Sequence, residues 1–449
     1  MAAILGLVGA ETFANQRFTN IRQKVFYQYP NGAFPLCGLL SVAKEKETND
    51  PKFVHYEKRM KKQWTETASQ GSSKGPFLTA AGADAGDPFT WTAETQYQVK
   101  VDATERFRPG HEIRILTAAT GVDTLASAVH GTVTEIVSST VLKVRAKATV
   151  ANILNGTTNE NVDREVLVVG SSFAEGDLST TTREIYDLPV ESYNYTQIFR
   201  THFSFTGTGL ATSLKFDESG PYKDKAKDSS LQHMVEMEKA ILFGERATYT
   251  DLTTGLPTRT FGGIIWYLKQ YEANAYEDDP SASADSSDDK RIITNAAGTI
   301  NDTDYHKYLE RVFRVTNNAS NEKLCVCGSG FLLTLQNMYR GQSVLNSTMD
   351  KTDTFGLAVV SHVTPFGTVH YKTHPLFNQN PRLRFNGLFL DTNDMWLRPL
   401  MGRNTKLLKN RQPNDADYRK DEWLGEVGFE LLHPEANMYM QNLQTYVAA

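Results

Sequence analysis

Halfway along the chain the hydrophobic period changes. Residues 89–190 hold short runs rich in Val, Ile, Leu and Thr, among them "GHEIRILT", "GTVTEIVSSTVLKVRA" and "REVLVVGSSF", separated by turn residues and alternating in period two. Successive strand side chains point to opposite faces, so this stretch reads as an inserted antiparallel β domain, a small sandwich or barrel. From residue 221 the period becomes helical. In "PYKDKAKDSSLQHMVEMEKAILFGER", Pro221 suits a first turn, Leu231, Met234, Val235, Ile241 and Leu242 recur on one face, and Gly244 is placed to end the helix. No single regular architecture accommodates both patterns, and at 449 residues the chain is long enough for two or three units.

The flanks fill in the order of elements. Phe18, Ile21, Val25 and Phe26 stand at roughly helical spacing before a break at Pro30 and Gly32, which describes an arm over residues 1–50. "KFVHYEKRM" alternates, and Arg59, Lys61 and Lys62 crowd together just after it. Residues 69–88 are rich in Gly, Ser and Ala and read as a flexible loop; "EDDPSASADSSDD" at 277–289 reads as an acidic one. In "NDTDYHKYLERVFRVTNN" the residues Tyr305, Tyr308, Leu309, Val312 and Phe313 fall at i, i+3, i+4, i+7 and i+8, an amphipathic helix. "EKLCVCG" then reads as a buried strand, "SGFLLTLQNMYRG" as a helix, and "GLAVVSHVTPFGTVHYKTHP" as two strands about a turn. The terminus, "WLGEVGFELLHPEANMYMQNL", reads as a strand, a proline stop and a short helix or coil. The whole is α+β.

Composition removes several classes. A net charge of −5 argues against a broad basic face that grips nucleic acid. Three cysteines, Cys37, Cys325 and Cys327, are too few for a disulfide framework and suit a reducing compartment. No run approaches the roughly 18 apolar residues that span a bilayer, and the N-terminal apolar run lacks the basic residue of a secretion signal.

Catalytic patterns fail one at a time. Gly328 and Gly330 follow a strand as a dinucleotide turn would, but Leu333 stands where the third glycine belongs, and Ser329 as a helix cap explains the same letters. His370 and His374 are four apart, yet Tyr371 occupies the place of the glutamate a zinc protease needs. Glu426 with Glu430, and Asp415 with Asp417, are spacings that chance supplies among 52 acidic residues. His433 before Pro434 reads as a structural histidine. The expectation is a protein without catalysis, cofactor or metal.

The strings "SSFAEG" at 171–176, "NYTQIF" at 194–199, "EKAILFGER" at 238–246 and "GEVGFELLHPEANMYMQNL" at 425–443, with the order of elements, resemble the major capsid proteins of tailed bacteriophages that share the Hong Kong 97 fold. That resemblance implies an N-terminal arm over 1–50, an extended loop region over 51–215 with the β domain inserted at about 89–190, a spine helix and the start of the peripheral domain over 216–300, and peripheral and axial parts over 301–449. It also implies self-assembly into hexamers and pentamers of an icosahedral shell around double-stranded DNA, with scaffolding, portal and decoration proteins as partners. The places implied are the virion and, during assembly, the host cytoplasm. Some relatives crosslink through a Lys and an Asn; no motif here places such a pair. The rival readings are a tail-tube or adhesion-type β protein, and a carbohydrate-active enzyme with an appended β module.

Within this framework the segment "SYNYTQIFRTHFSFTGTG", 192–209, presents Tyr193, Tyr195, Gln197, Phe199, Thr201, Phe203 and Phe205 on one parity. Such a face can pack hard, and the strand is expected to lead back from the extended loop to the spine helix. Phe199, Arg200 and His202 are the candidate subunit contacts, with Arg59, Lys61 and Lys62 as a second group.

Overall fold

The computed structural model describes residues 45–58, 64–67, 76–86, 89–116, 128–153, 164–173, 175–176, 188–211, 221–278, 290–314, 321–341, 350–354 and 357–447. Most of the expected arm, and residues 279–289 of the acidic segment, lie outside them. The chain forms two compact units. One comprises Met1–Val54, Tyr193–Lys269 and Arg291–Ala449; the other comprises His55–Ser192 and Gln270–Lys290.

The second unit is built on seven strands in the spatial order Trp64–Glu66, Glu165–Ser171, His111–Ile115, Val129–Ser138, Val141–Ala146, Gln96–Lys100 and Phe77–Thr79. Every neighbouring pair is antiparallel. Alternation sets the core, as in His111–Ile115, where His111, Ile113 and Ile115 are buried and the residues between them are not. Trp91 stacks on Tyr97 at 4.6 Å between centroids, and Phe77 and Phe89 meet them edge-on or tilted. This corrects the reading of residues 69–88 as a loop throughout. Phe77 is fully buried and Leu78 nearly so, in a strand that pairs with Gln96–Lys100.

The first unit is built on two main sheets, with two-stranded pairs beside them. The smaller is antiparallel: Gln197–Thr206 pairs with Tyr418–Leu431 along its whole length, Tyr418–Leu431 pairs with Met395–Pro399, and Lys406–Leu408 joins the same long strand. Residues 46–48 extend it in parallel, Lys46 N donating to Leu397 O and Thr48 N to Pro399 O, both at 2.9 Å. The larger sheet has seven strands, in the order Ile292–Thr294, Met438–Gln441, Gly387–Leu390, Glu322–Cys327, Gly367–Thr373, Leu357–Thr364 and Asp350–Thr354. Both of its faces are covered. Cys325, Cys327, Phe389, Met438 and Met440 face the helices Asp302–Arg314 and Ser329–Gly341, while Val326, Leu388, Leu390 and Tyr439 share a core with the helix Pro221–Phe243 and the smaller sheet. Strands buried on both sides read as continuous apolar runs, which is why "KLCVC" and "GLFL" carry no alternation.

Two corrections concern termini of elements. The aromatic segment is not one strand but two, Val190–Tyr195 and Gln197–Thr206, broken at Thr196. The chain end is strand rather than helix or coil: Pro434–Ala436 makes one 3₁₀ turn, and Met438–Gln441 runs parallel to Ile292–Thr294.

The long helix spans Pro221–Phe243, and its buried face differs from the expected one. Ser229, His233, Met237, Glu238, Ile241 and Leu242 are buried, whereas Leu231 and Val235 are only half so. Two of the polar residues inside have side-chain partners. Thr201 Oγ1 lies 3.2 Å from His233 Nδ1, and Glu238 Oε1 accepts from His374 Nε2 at 2.8 Å, with both side chains of the latter pair fully buried. His374 Nδ1 in turn accepts from Leu376 N, which leaves Nε2 as the protonated nitrogen.

Burial holds the His233 imidazole below its ordinary 6.5, a shift only partly opposed by Glu236. A histidine kept neutral in the fold binds its proton more readily once unfolded, so its contribution to stability is complete above pH 6.5 and declines as pH falls through that value. Denaturant titrations between pH 7.5 and 5 are expected to show falling stability, with a shallower slope in His233→Gln. His111 and His362, lowered first by burial as well, supply the remaining slope. An unchanged slope in the variant would remove His233 from the account.

Candidate functional site

The outer face of the smaller sheet concentrates the charge. On Tyr418–Leu431 the odd positions Val427, Phe429 and Leu431 enter the core, so the even positions Glu422, Glu426 and Glu430 form a row on the other face. All three carboxylates are nearly buried, and each meets arginine. Glu422 is 3.7 Å from Arg200 and 3.4 Å from Arg411, Glu426 is 2.7 Å from Arg403, and Glu430 is 3.6 Å from Arg398. Thr196 also donates to Glu426, at 2.9 Å, from the break in the aromatic segment. Between the last two glutamates stands Gly428, where a Cβ would lie 2.4 Å from the ring of Phe53. The segment entering the β unit is thereby seated on the row.

At the strand's start, Asp421 accepts from Tyr222 at 2.5 Å and from Asn410 N at 2.8 Å, and it pairs with Arg419 at 3.0 Å. Burial pushes the Asp421 carboxyl up, but these three donors together outweigh it and hold the group below its ordinary value. The first turn of the long helix is thus tied to the sheet.

A second cluster lies where the chain returns at Tyr193. Arg246 stacks on Tyr193 at 3.8 Å and on Trp266 at 4.3 Å, and it donates to Tyr193 O at 2.7 Å. Lys52 lies 4.2 Å from the same tyrosine ring. The aromatic parity noted in the sequence therefore has two uses: Tyr193 holds cations, while Phe199 and Phe203 enter the core. Arg246→Ala removes two cation–π contacts and a backbone acceptor's partner, for an expected loss of about 1–3 kcal/mol in urea unfolding. Arg246→Lys, which lacks the planar stacking surface, is expected to recover less than half of it.

The residues singled out in the sequence are dispersed by function. Phe199 is 6% exposed and packs on Phe261 and His233 of its own chain, so it is a core residue and not the subunit contact expected of it. Arg200 and His202 do project outward, Arg200 toward Glu422 with 57% of its side chain exposed. Arg59, Lys61 and Lys62 lie outside the described residues. The glutamate row is hidden in the sequence because its four-residue spacing resembles chance, and its arginines at 200, 398, 403 and 411 come from outside the strand. The even parity of Glu422, Glu426 and Glu430 in a strand was the available signal.

The motifs rejected on sequence have structural explanations. A Cβ at Gly328 would meet Arg384 O at 2.1 Å and one at Gly330 the Phe385 ring at 2.7 Å, so both glycines serve close packing. Asn378 Oδ1, rather than Ser329, caps that helix by accepting from Ser329 N at 2.7 Å. His370 bonds with Ser361, apart from His374, and His433 pairs with Asp394 at 3.2 Å. An open depression of about 540 Å³ is lined by Asp302, His306, Lys307, Glu310 and Phe366. Its charges are engaged along the helix: His306 with Asp302, Lys307 with Asp304, and Glu310 with Arg314. Among the described residues no group of three or more His, Cys, Asp or Glu is placed to hold a metal, and no helix is long and apolar enough to cross a membrane.

Networks of paired charge, a covered sheet and a clamped helix resist deformation. Solved structures similar to this chain include the capsid asymmetric unit of cyanophage A-1(L), at 10% identity over 61% of this chain and 85% of that one, TM-score 0.39. A chain from Mycobacterium phage Adephagia is similar at 7% identity over 95% and 92%, TM-score 0.38, and the holo-SrpI encapsulin complex of Synechococcus elongatus at 10% over 60% and 82%, TM-score 0.37. No curated protein matches the sequence. The family described as SU10 major capsid protein matches residues 12–444, nearly the whole chain. The chain belongs to that family and is a structural protein of a phage capsid.

Proposed function

We propose that copies of this chain assemble as hexamers and pentamers into an icosahedral head of the Hong Kong 97 type that encloses double-stranded DNA. The observation that carries the reading is the family match across residues 12–444. In this reading residues 1–50 are the arm, 51–215 the extended loop region, and the antiparallel strands between Trp64 and Ser171 belong to a β domain inserted in it. Pro221–Phe243 is the spine helix, and the two sheets beyond it carry the peripheral and axial parts.

The physical support is division of labour. A shell repeats one contact in slightly different settings, so each subunit needs a stiff centre with adaptable extensions. Here the centre is stiffened by the glutamate and arginine row and by the helix tied through Asp421 and Glu238. A net charge of −5 lets the inner wall enclose DNA without trapping it. Arg200 and His202, outward on Gln197–Thr206, are contacts to a neighbouring copy; scaffolding, portal and decoration proteins meet the assembled lattice, with assembly in the host cytoplasm.

Negative-stain microscopy with sedimentation of the full chain tests the reading. Closed shells, or rings with fivefold and sixfold symmetry, are expected. Stacked tubes would instead establish a tail protein.

A further inference from the structure

A hairpin leaves the end of the long helix and stands in solvent. Ala247–Thr250 pairs antiparallel with Pro257–Thr260, and every residue of the first strand is exposed. At its end Leu252 is fully exposed, Leu256 is 65% exposed, and Tyr249 on the adjoining strand is 54% exposed. Leu252 is the most exposed large apolar side chain among the described residues. An isolated two-stranded hairpin is marginal in water, so this one requires support from elsewhere.

Its base has that support. Arg246, one residue before the first strand, is held between Tyr193 and Trp266. Thr260 Oγ1 donates to Glu245 O at 2.7 Å, closing the hairpin at its root. Gly244 and Gly263 then lock the root to the helix end, since a Cβ at either would come within 2.6 Å of a helix carbonyl oxygen. The tip is ordered as well. Asp251 accepts from Thr254 Oγ1 at 2.5 Å and from Thr253 N and Thr254 N, Gly255 takes φ +67°, and Asp251 N donates to Leu256 O. The loop is therefore a fixed shape that holds two leucines in water.

We propose that the Ala247–Thr260 hairpin is an assembly contact whose leucine tip inserts into an apolar recess of a second copy of this chain. The charge of the segment selects that occupant. Asp251 and Arg259 are the only residues of 247–260 charged at neutral pH and their charges cancel, so the segment presents no net positive charge to a phosphate backbone, whereas paired leucines suit a protein surface. Pro257 removes an N–H at the start of its strand, which disfavours edge-to-edge strand addition and leaves the side chains to make the contact. The second copy is the partner present in quantity for a capsid family member. This inference rests on the self-assembly proposed above.

The test is concentration-dependent sedimentation velocity of the full chain and of a Leu252→Asp, Leu256→Asp variant, with thermal unfolding of each. Both leucines are exposed, so the unassembled variant is expected to unfold within about 2 °C of the parent. It should need at least about tenfold higher concentration for half assembly, since buried apolar anchors carry much of an interface's energy. Assembly of the variant at the parent's concentration overturns the hairpin contact while leaving shell formation intact. A parent chain that stays monomeric throughout overturns both. Benzoylphenylalanine at position 252 supplies an independent reading: chain-to-chain adducts are expected in the assembling parent, and adducts confined to its own chain would refute the insertion.

Discussion

Asp391→Ala is expected to lower the unfolding free energy by about 3–5 kcal/mol, the cost of leaving a buried charge without its counter-ion. Lys323 lies on the central strand of the larger sheet with none of its side chain exposed, and its Nζ donates to Asp391 Oδ2 at 3.0 Å and to Ala436 O at 3.1 Å. Removing the carboxylate strands an ammonium with one carbonyl. The same change strips an acceptor from Asn393 N, which Asp391 caps at 3.1 Å. The discriminating measurement is a double-mutant cycle in urea. Lys323→Met with Asp391→Ala should cost clearly less than the two single changes added, because the double variant leaves no orphaned charge. Strict additivity would show that the pair is not coupled.

Phe199→Ala is the second large effect, and it separates a core role from an interface role. The ring packs on Phe261 at 6.0 Å and on His233 at 6.2 Å between centroids, within the core that also contains Met237, Val427 and Phe429. Deleting such a ring costs about 3–5 kcal/mol through lost transfer energy and the cavity left behind. The unassembled chain should therefore lose thermal stability, and any assembly defect should disappear on cooling to where the variant is folded. A variant with parental unfolding but weakened assembly would restore Phe199 to a subunit interface.

Local signals carried far in this chain. The helix Asp302–Arg314 was legible because Tyr305, Leu309, Val312 and Phe313 bury one stripe at helical spacing and nothing in the tertiary structure opposes it. The strands of the β unit were legible for the matching reason, that one face of each is buried and the other is not. Pattern reading faltered where a partner distant in sequence determines the outcome. Phe77 lies in a Gly-rich stretch that reads as a loop, and only pairing with Gln96–Lys100 makes it strand. The aromatic segment breaks at Thr196, whose N–H donates to Pro51 O and whose hydroxyl donates to Glu426, both partners distant in sequence.

The same distinction governs the long helix and the acidic row. Sequence alone determined that a helix begins at Pro221 and ends at Phe243, since proline, apolar spacing and Gly244 are local constraints on backbone conformation. The resemblance to phage capsid proteins was also legible in the sequence, and the family match across residues 12–444 shows that the chain is one. Which helix face turns inward was decided by the tertiary structure, because His233 and Glu238 are tolerable inside only beside Thr201 and His374. Likewise Glu422, Glu426 and Glu430 become a stiffening row rather than a solvated face once arginines from four other places in the chain reach them. Backbone preference acts over a few residues and can be read in order; the pairing of buried charge depends on which distant segments the fold brings together.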